Sequence, residues 1–373
     1  MKNLLYLFNE HLLIKNLFTK NLFALLVLIV FLLPHYACNT TEPIININSD
    51  QDTTSHNFTF ETITFGEYNS AFYDVAVIDE NNIWAVGAVY LNDSLGIPDP
   101  NAYNAVHWDG NKWELKRIFY YGNCSAVKYP PLKAIWVFST SDIVVSNGGS
   151  IGWFDGNKIT LDCGVNQLLL GVINKIWGSN NKDLYLVGNN GAIVHYNGSE
   201  WTKIESGTDL HFYDIYGQQS TSGEYEVFCV AAKQLVNTDK KILRITDNSV
   251  TDINVSGIKS SLSGIWFKPG EKYYVVGSGM FSKADINSSQ SWESFWEGIT
   301  QYYTASIDGN DLNDIVVCGA YGELLHYNGN SWKSYQSELQ SEVGSYGRIK
   351  IKDNLIVAVG SNSAKAIITI GRR

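Results

Sequence analysis

An all-β fold is what the sequence predicts, and within that class a single seven-bladed propeller whose ring is closed by an N-terminal strand. Three observations carry the expectation. Glycine (32 residues) and aromatic side chains (13%) are plentiful while proline (7) and methionine (2) are scarce, a balance that suits many short strands joined by tight turns. A short alternating apolar phrase recurs with landmarks at Gly87, Ser146, Gly188, Ala231, Gly277, Gly319 and Gly360, spaced by 59, 42, 43, 46, 42 and 41 residues. That period, with period-two alternation inside it, marks one four-stranded antiparallel sheet per repeat. Finally, "HWDGNKW", "WFDGNKI", "HYNGSEW" and "HYNGNSW" place Asp-Gly or Asn-Gly where the third and fourth strands of a repeat should meet. Such pairs predict two-residue type I′ hairpins. "ITDNSV" and "INSSQSW" in blades four and five lack the glycine, which predicts looser last hairpins there.

Taken in chain order, the first segment is not part of the fold. Lys2, Lys15 and Lys20 precede the apolar run "LFALLVLIVFLLP" and then "HYAC", which reads as a signal peptide over residues 1–37. The run is short for a bilayer span and Pro34 closes it. Ala37 before Cys38 resembles the lipobox of bacterial lipoproteins, although His35 stands where that motif carries leucine. The resemblance implies a lipidated Cys38, held at a membrane through a lipid anchor only. Residues 38–57, polar and nearly free of aromatics, predict a flexible tether, so the propeller spans 58–373. Three of the 27 basic and one of the 37 acidic residues precede Cys38, leaving 24 against 36 and a net charge of −12. Nucleic acid is repelled by such a mean field and is excluded as a partner.

"FTFETITFG", residues 58–66, alternates as an outer strand should. The last repeat offers only "GRIKIK", "LIVAVGS" and "KAIITIGRR" before the chain ends, so the first segment is expected to supply its fourth strand. Without it the ring would leave two exposed sheet edges. Between these ends each repeat reads as strands a, b, c and d, for example "NKIWGS", "DLYLVGN", "AIVHYNG" and "EWTKIES". His107, His195 and His326 share one slot in three repeats and are expected as structural histidines, not metal ligands. Trp113, Trp201, Trp292 and Trp332 open strand d, and Trp136, Trp177 and Trp266 sit in strand a, all expected to pack. Cys229 and Cys318 lie in apolar runs, whereas Cys124 and Cys163 lie in connections and are candidates for a disulfide in an oxidising compartment.

Function is sought where the repeats disagree. The b–c links "VYLNDSLGIPDPNAYN", "AKQLVNTDKK" and "SGMFSKADINSS" and the d–a link "IFYYGNCSAVKYPP" are long, and b–c and d–a links share one face of a propeller. Aromatic pairs gather there, at or just before strand a: Phe72 with Tyr73, Tyr120 with Tyr121, Phe212 with Tyr213, and Tyr302 with Tyr303. The candidate ligand-binding residues are Tyr73, Asp93, Asp99, Tyr103, Tyr120, Tyr121, His211, Tyr213, Tyr302 and Tyr303. The alternative is that alternate members of each pair wedge between blades. No catalytic motif, metal-ligand spacing or cofactor fingerprint is present.

The combination of "IWGS", "LYLVG", "GAIVHYNG" and a following Trp resembles repeats of secreted bacterial propellers, loosely photosystem assembly-factor-like and sialidase-repeat-like. The resemblance covers nearly all of 58–373 and implies fold and export. With the lipobox it implies a lipoprotein on the outer membrane of a Gram-negative envelope. The leading expectation is a non-catalytic, monomeric protein, without cofactor, whose loop-rich face binds an envelope protein or glycan. The alternatives are a glycan-active hydrolase or lyase with acidic residues at the channel mouth, and a purely structural assembly factor.

Overall fold

The computed structural model describes residues 53–121, 125–169, 171–233, 236, 238–339 and 344–373. The expected signal peptide, Cys38 and the tether up to residue 52 lie outside the described residues. Seven four-stranded antiparallel sheets follow one another, six of them taking their strands in sequence order. Strand a, the innermost, is Ala71–Asp79, Ala134–Ser139, Ile173–Asn180, His211–Gln219, Leu262–Lys268, Thr304–Asp311 and Ser345–Lys352 in blades one to seven. The last blade is completed from the other end of the chain: Thr59–Phe65 pairs with Ala366–Arg372, Thr62 opposite Thr369. That is the expected closure. Thr62 and Thr369 hydroxyls also meet at 2.7 Å.

The recurring glycine of the repeat has a packing cause. A Cβ on Gly87, Gly188, Gly277, Gly319 or Gly360 would lie 2.0–2.1 Å from the carbonyl oxygen of the residue that opens or precedes strand a. In six blades strand a carries a β-bulge opposite or next to that landmark, at Tyr73, Asn174, Tyr213, Ser263, Ala305 and Gly347. Blade two, which pairs without this bulge, has Ser146 at the landmark, and blade four accommodates Ala231.

Adjacent blades are joined by apolar wedges and by carboxylate clamps. Trp177 and Trp266 are buried, and they fill the space that Gly217 and Gly309 leave on the next blade. Strand a has a sheet partner on one side only, so its inner N–H groups need other acceptors. Asp74, Asp214 and Asp308 supply them, accepting from the N–H of Ile135, Ile265 and Ile351 on the following blade at 3.1, 3.2 and 2.9 Å.

The structure corrects four expectations. The Asp-Gly and Asn-Gly turns are four-residue loops, because Trp108 faces Trp113, Phe154 faces Ile159, Tyr196 faces Trp201 and Tyr327 faces Trp332. The first side chain organises each loop: Asn197 Oδ1 accepts from the N–H of Ser199 and Glu200, and Asp109, Asp155 and Asn328 do likewise. Only the glycine takes positive φ there, 89–94° at Gly110, Gly156, Gly198 and Gly329, which is why the type I′ expectation fails. Blade four, expected to be loose, has the shortest of these hairpins, Thr246 facing Ser249 across two residues. In blade five, strand c is Gly279–Lys283, directly after strand b, so its long link is c–d and lies on the opposite face. Last, the tether stops short of residue 57: Thr54 N–H and Oγ1 donate to the carbonyls of Asn328 and Asn313, and His56 Nδ1 lies 2.8 Å from His326 Nδ1.

The three repeat histidines are structural, as expected. His107 stacks on Trp84 and bonds Asn82; His195 stacks on Tyr185 and bonds Asp183; His326 is fully buried and bonds Asp314. Cys163 is disulfide-bonded, Cys124 lies outside the described residues, and Cys229 and Cys318 are free and buried. Among the described residues no helix is long and apolar enough to cross a membrane.

Candidate functional site

Strand a of each blade starts on the face that carries the b–c and d–a links, and there the central channel widens into a cavity of about 400 Å3. Its wall comes from blades one, two, three, four and seven. The bulges build it: Tyr73, Asn174, Tyr213 and Gly347, each the extra residue of its strand, all line the cavity. A bulge re-aims one side chain out of the pleat alternation. The preceding residues Phe72 and Phe212 are correspondingly buried between blades. Lys133, from blade two, and Arg348, from blade seven, complete the polar lining.

The electrostatics of the mouth are one-sided. The lining includes two cations and no carboxylate. Lys133 Nζ sits 3.7 Å from the centroid of the Tyr73 ring, and burial holds its ammonium below the ordinary lysine pKa. Arg348 crosses the channel: Nη2 donates to the Tyr213 carbonyl at 2.7 Å and Nη1 to the Gly347 carbonyl at 3.1 Å, while the buried Nε has no hydrogen-bond partner. Burial, with Tyr303 nearby, raises the Tyr213 phenol above its usual range.

Below the mouth, charged side chains of strand a meet in a waist. Lys175 Nζ bonds Asp74 at 2.5 Å, both almost fully buried, and Arg348 Nε is 4.0 Å from the same carboxylate. Lys350 pairs with Asp308 at 3.2 Å. Burial pushes the Asp214 carboxyl up, partly opposed by Arg348 and Lys175. Beyond the waist a second cavity, about 210 Å3, is lined by Ala76, Trp136, Asp308 and Lys350 among others. The three aspartates of the waist are committed to backbone clamps and, for Asp74 and Asp308, to lysines.

Of the sequence-derived candidates, Tyr73 and Tyr213 line the mouth, and Tyr303 lies near Tyr213. Tyr302 packs against Tyr321. Tyr120 is fully buried and donates its hydroxyl to the Val145 carbonyl at 2.8 Å, so it is a wedge and no ligand reaches it. It also stands well before strand a of blade two, which starts at Ala134. His211 Nδ1 accepts from the Asn190 N–H. A separate group gathers on the blade-one links around Arg117: Asp99 pairs with it and Tyr103 lies under its guanidinium at 4.0 Å, while exposed Tyr121 contacts Phe119. Asp93 organises its own loop by accepting from Leu95 and Ile97 N–H.

Lys133, Asn174, Gly347 and Arg348 were missed. A signal was present for Arg348, Lys175, Asp74 and Asp214, since each interrupts an apolar strand a at one repeat position, and a charge on the innermost strand has only the axis in which to meet a partner.

No family model and no curated protein sequence matches the chain. Solved structures do. YCF48 bound to a D1 peptide matches at a TM-score of 0.62 and 15% identity, covering 87% of this chain and 98% of that one. Virginiamycin B lyase from Staphylococcus aureus, a catalytically inactive form with quinupristin, matches at 0.61 and 12%, covering 85% and 99%. The WD40 repeats of RRP9 match at 0.56 and 11%, covering 84% and 98%. At these identities the likeness shows the propeller fold alone.

Proposed function

We propose that the protein is a non-catalytic binding propeller of a bacterial cell envelope, lipid-anchored through Cys38, that receives an extended segment of a partner protein at its channel mouth. The observation that carries this reading is the mouth itself, a cavity walled by four bulge residues above a waist of buried ion pairs. A neighbour in fold is bound to a peptide and another holds a small-molecule ligand, which supports a propeller that binds. Glycan cleavage needs an uncommitted acid facing the cavity, and the carboxylates nearest to it already serve as clamps. Thr54 and His56 seat on the c–d turn of blade six, so a chain coming from Cys38 joins the face opposite the mouth. On this reading it acts as a monomer, without cofactor.

Photo-crosslinking from Ser361, at the mouth, and from Ser199, on a c–d turn of the other face, tests the site in cells making the full chain. Adducts are expected from Ser361 only, and they should vanish in Gly347→Tyr. A Cβ at Gly347 meets nothing within 4 Å, so the added ring fills the cavity without straining the fold. Adducts only from Ser199 would overturn the assignment of the face. Labelling with an alkynyl fatty acid, lost in Cys38→Ser, checks the anchor.

A further inference from the structure

We propose that the mouth selects an acidic peptide, holding one ligand carboxylate between Lys133 and Arg348. The proposal rests on the reading that the mouth is the binding site and names the chemistry it prefers. The protein as a whole is acidic, with a formal net charge of −10, yet the cavity lining reverses that sign. Lys133 has no carboxylate partner among the described residues, and its ammonium rests against the face of Tyr73. Arg348 spends two nitrogens on neutral carbonyls, and its nearest carboxylate, Asp74, is already engaged by Lys175 and by the Ile135 N–H. The half-buried Lys133 ammonium is short of negative charge, and Arg348, whose hydrogen bonds go to neutral carbonyls while Asp74 and Asp214 stand beneath it, adds to a cleft lining of one sign that focuses its field on an incoming anion.

The class of ligand follows from what the wall offers. Sugar recognition favours free aromatic faces, but one face of the Tyr73 ring carries the Lys133 ammonium. A peptide finds more: strand a is the inner edge of every sheet, pairing on one side only, and in blade seven Ser345 and Gly347 on that strand and Gly360 and Ser361 on its neighbour carry small side chains that leave the backbone at the mouth reachable. An extended backbone meets those edge groups while its acidic side chain or terminal carboxylate reaches the cations.

The test uses the folded chain from residue 38 onward and four probes: random tetrapeptide pools with a fixed central Glu, the same with Gln, the Gln pool with a free instead of an amidated C-terminus, and trigalacturonate. Retention is read by surface plasmon resonance on wild type, Lys133→Gln, Lys133→Arg and Gly347→Tyr, with melting curves to confirm folding. The expected result is retention of the Glu or free-terminus pool about tenfold tighter than the amidated Gln pool. That preference should collapse in Lys133→Gln, persist in Lys133→Arg and weaken steeply with salt. Equal retention of Glu and Gln pools, blocked by Gly347→Tyr, overturns the carboxylate preference and leaves the mouth as the site. Lys133-dependent retention of trigalacturonate alone overturns the peptide class. Retention unaffected by Gly347→Tyr, or none at all, overturns the proposal, and in the first case the site as well.

Discussion

At the scale of single residues, the fold depends on positions where one atom too many or one charge too few has nowhere to go. Gly319 is such a position: its added Cβ would stand 2.0 Å from the Tyr303 carbonyl oxygen, and backbone cannot step aside as a flexible side chain can. Gly319→Ala is expected to destabilise by about 2–4 kcal/mol, read from the urea midpoint, whereas Gly347→Ala should change it little. Asp74 is the opposite case. It is 1% exposed and compensates buried Lys175, so Asp74→Ala strands an ammonium and is expected to cost about 3–5 kcal/mol. Both residues stand out in the sequence, one as the repeated glycine and the other as a charge inside "YDVAV". Their reasons did not. A bulge adds a residue without any local composition to mark it, and it decides that Tyr73 faces the mouth while Phe72 is buried.

Elements show where alternation and turn chemistry sufficed and where they failed. Strands b and c were legible because apolar runs bounded by Asn, Asp and Gly leave little choice, as in Asp183–Gly188. Blade five was misread because no turn residue pair separates its strands b and c, only Ser278 between Gly277 and Gly279. The c–d turns were located correctly and given the wrong geometry, since the Asn or Asp side chain accepts from two N–H groups of the loop beside the backbone bond that closes it, which sequence pairs alone do not reveal. Asn197→Ala, which removes the acceptor for the Ser199 and Glu200 N–H groups, is expected to cost about 1 kcal/mol in a thermal or urea melt. The entry segment carries a pH dependence. His326 Nε2 lies 2.9 Å from Asp314 Oδ1 and its Nδ1 2.8 Å from His56 Nδ1, while His56 Nε2 lies 3.2 Å from Ser331 Oγ; Arg373 and Lys333 face the same group. Burial first, then His326, Lys333 and Arg373, hold the His56 pKa below 6.5. A depressed histidine contributes fully above its ordinary value and loses that contribution as pH falls through the folded value. Hydrogen exchange at Thr54 and Phe58, corrected for intrinsic rates, should therefore accelerate on acidification below 6.5, and the acceleration should disappear in His56→Asn.

For the whole molecule, closure was the most legible property, because a repeat short of one strand at its end and a spare alternating strand at its start admit one solution. Deleting residues 53–65 opens that seal, exposing the edge of Ala366–Arg372 and part of the core around Phe58 and Tyr335. The expected result is loss of the cooperative melt and self-association in light scattering. The mouth was legible only as a face. Its two cations and the carboxylate beneath them come from separate parts of the chain, Lys133 before a strand, Arg348 after a bulge and Asp74 on the strand of blade one, and no spacing rule brings them together. On the proposed function, that mouth is where a partner enters. The most direct measurement is hydrogen exchange of the full propeller with and without the partner recovered through the Ser361 adduct. Protection centred on residues 71–74, 345–348 and 360–361, absent in Gly347→Tyr, is the predicted result; protection confined to the c–d turns around Gly198 and Gly329 would contradict it.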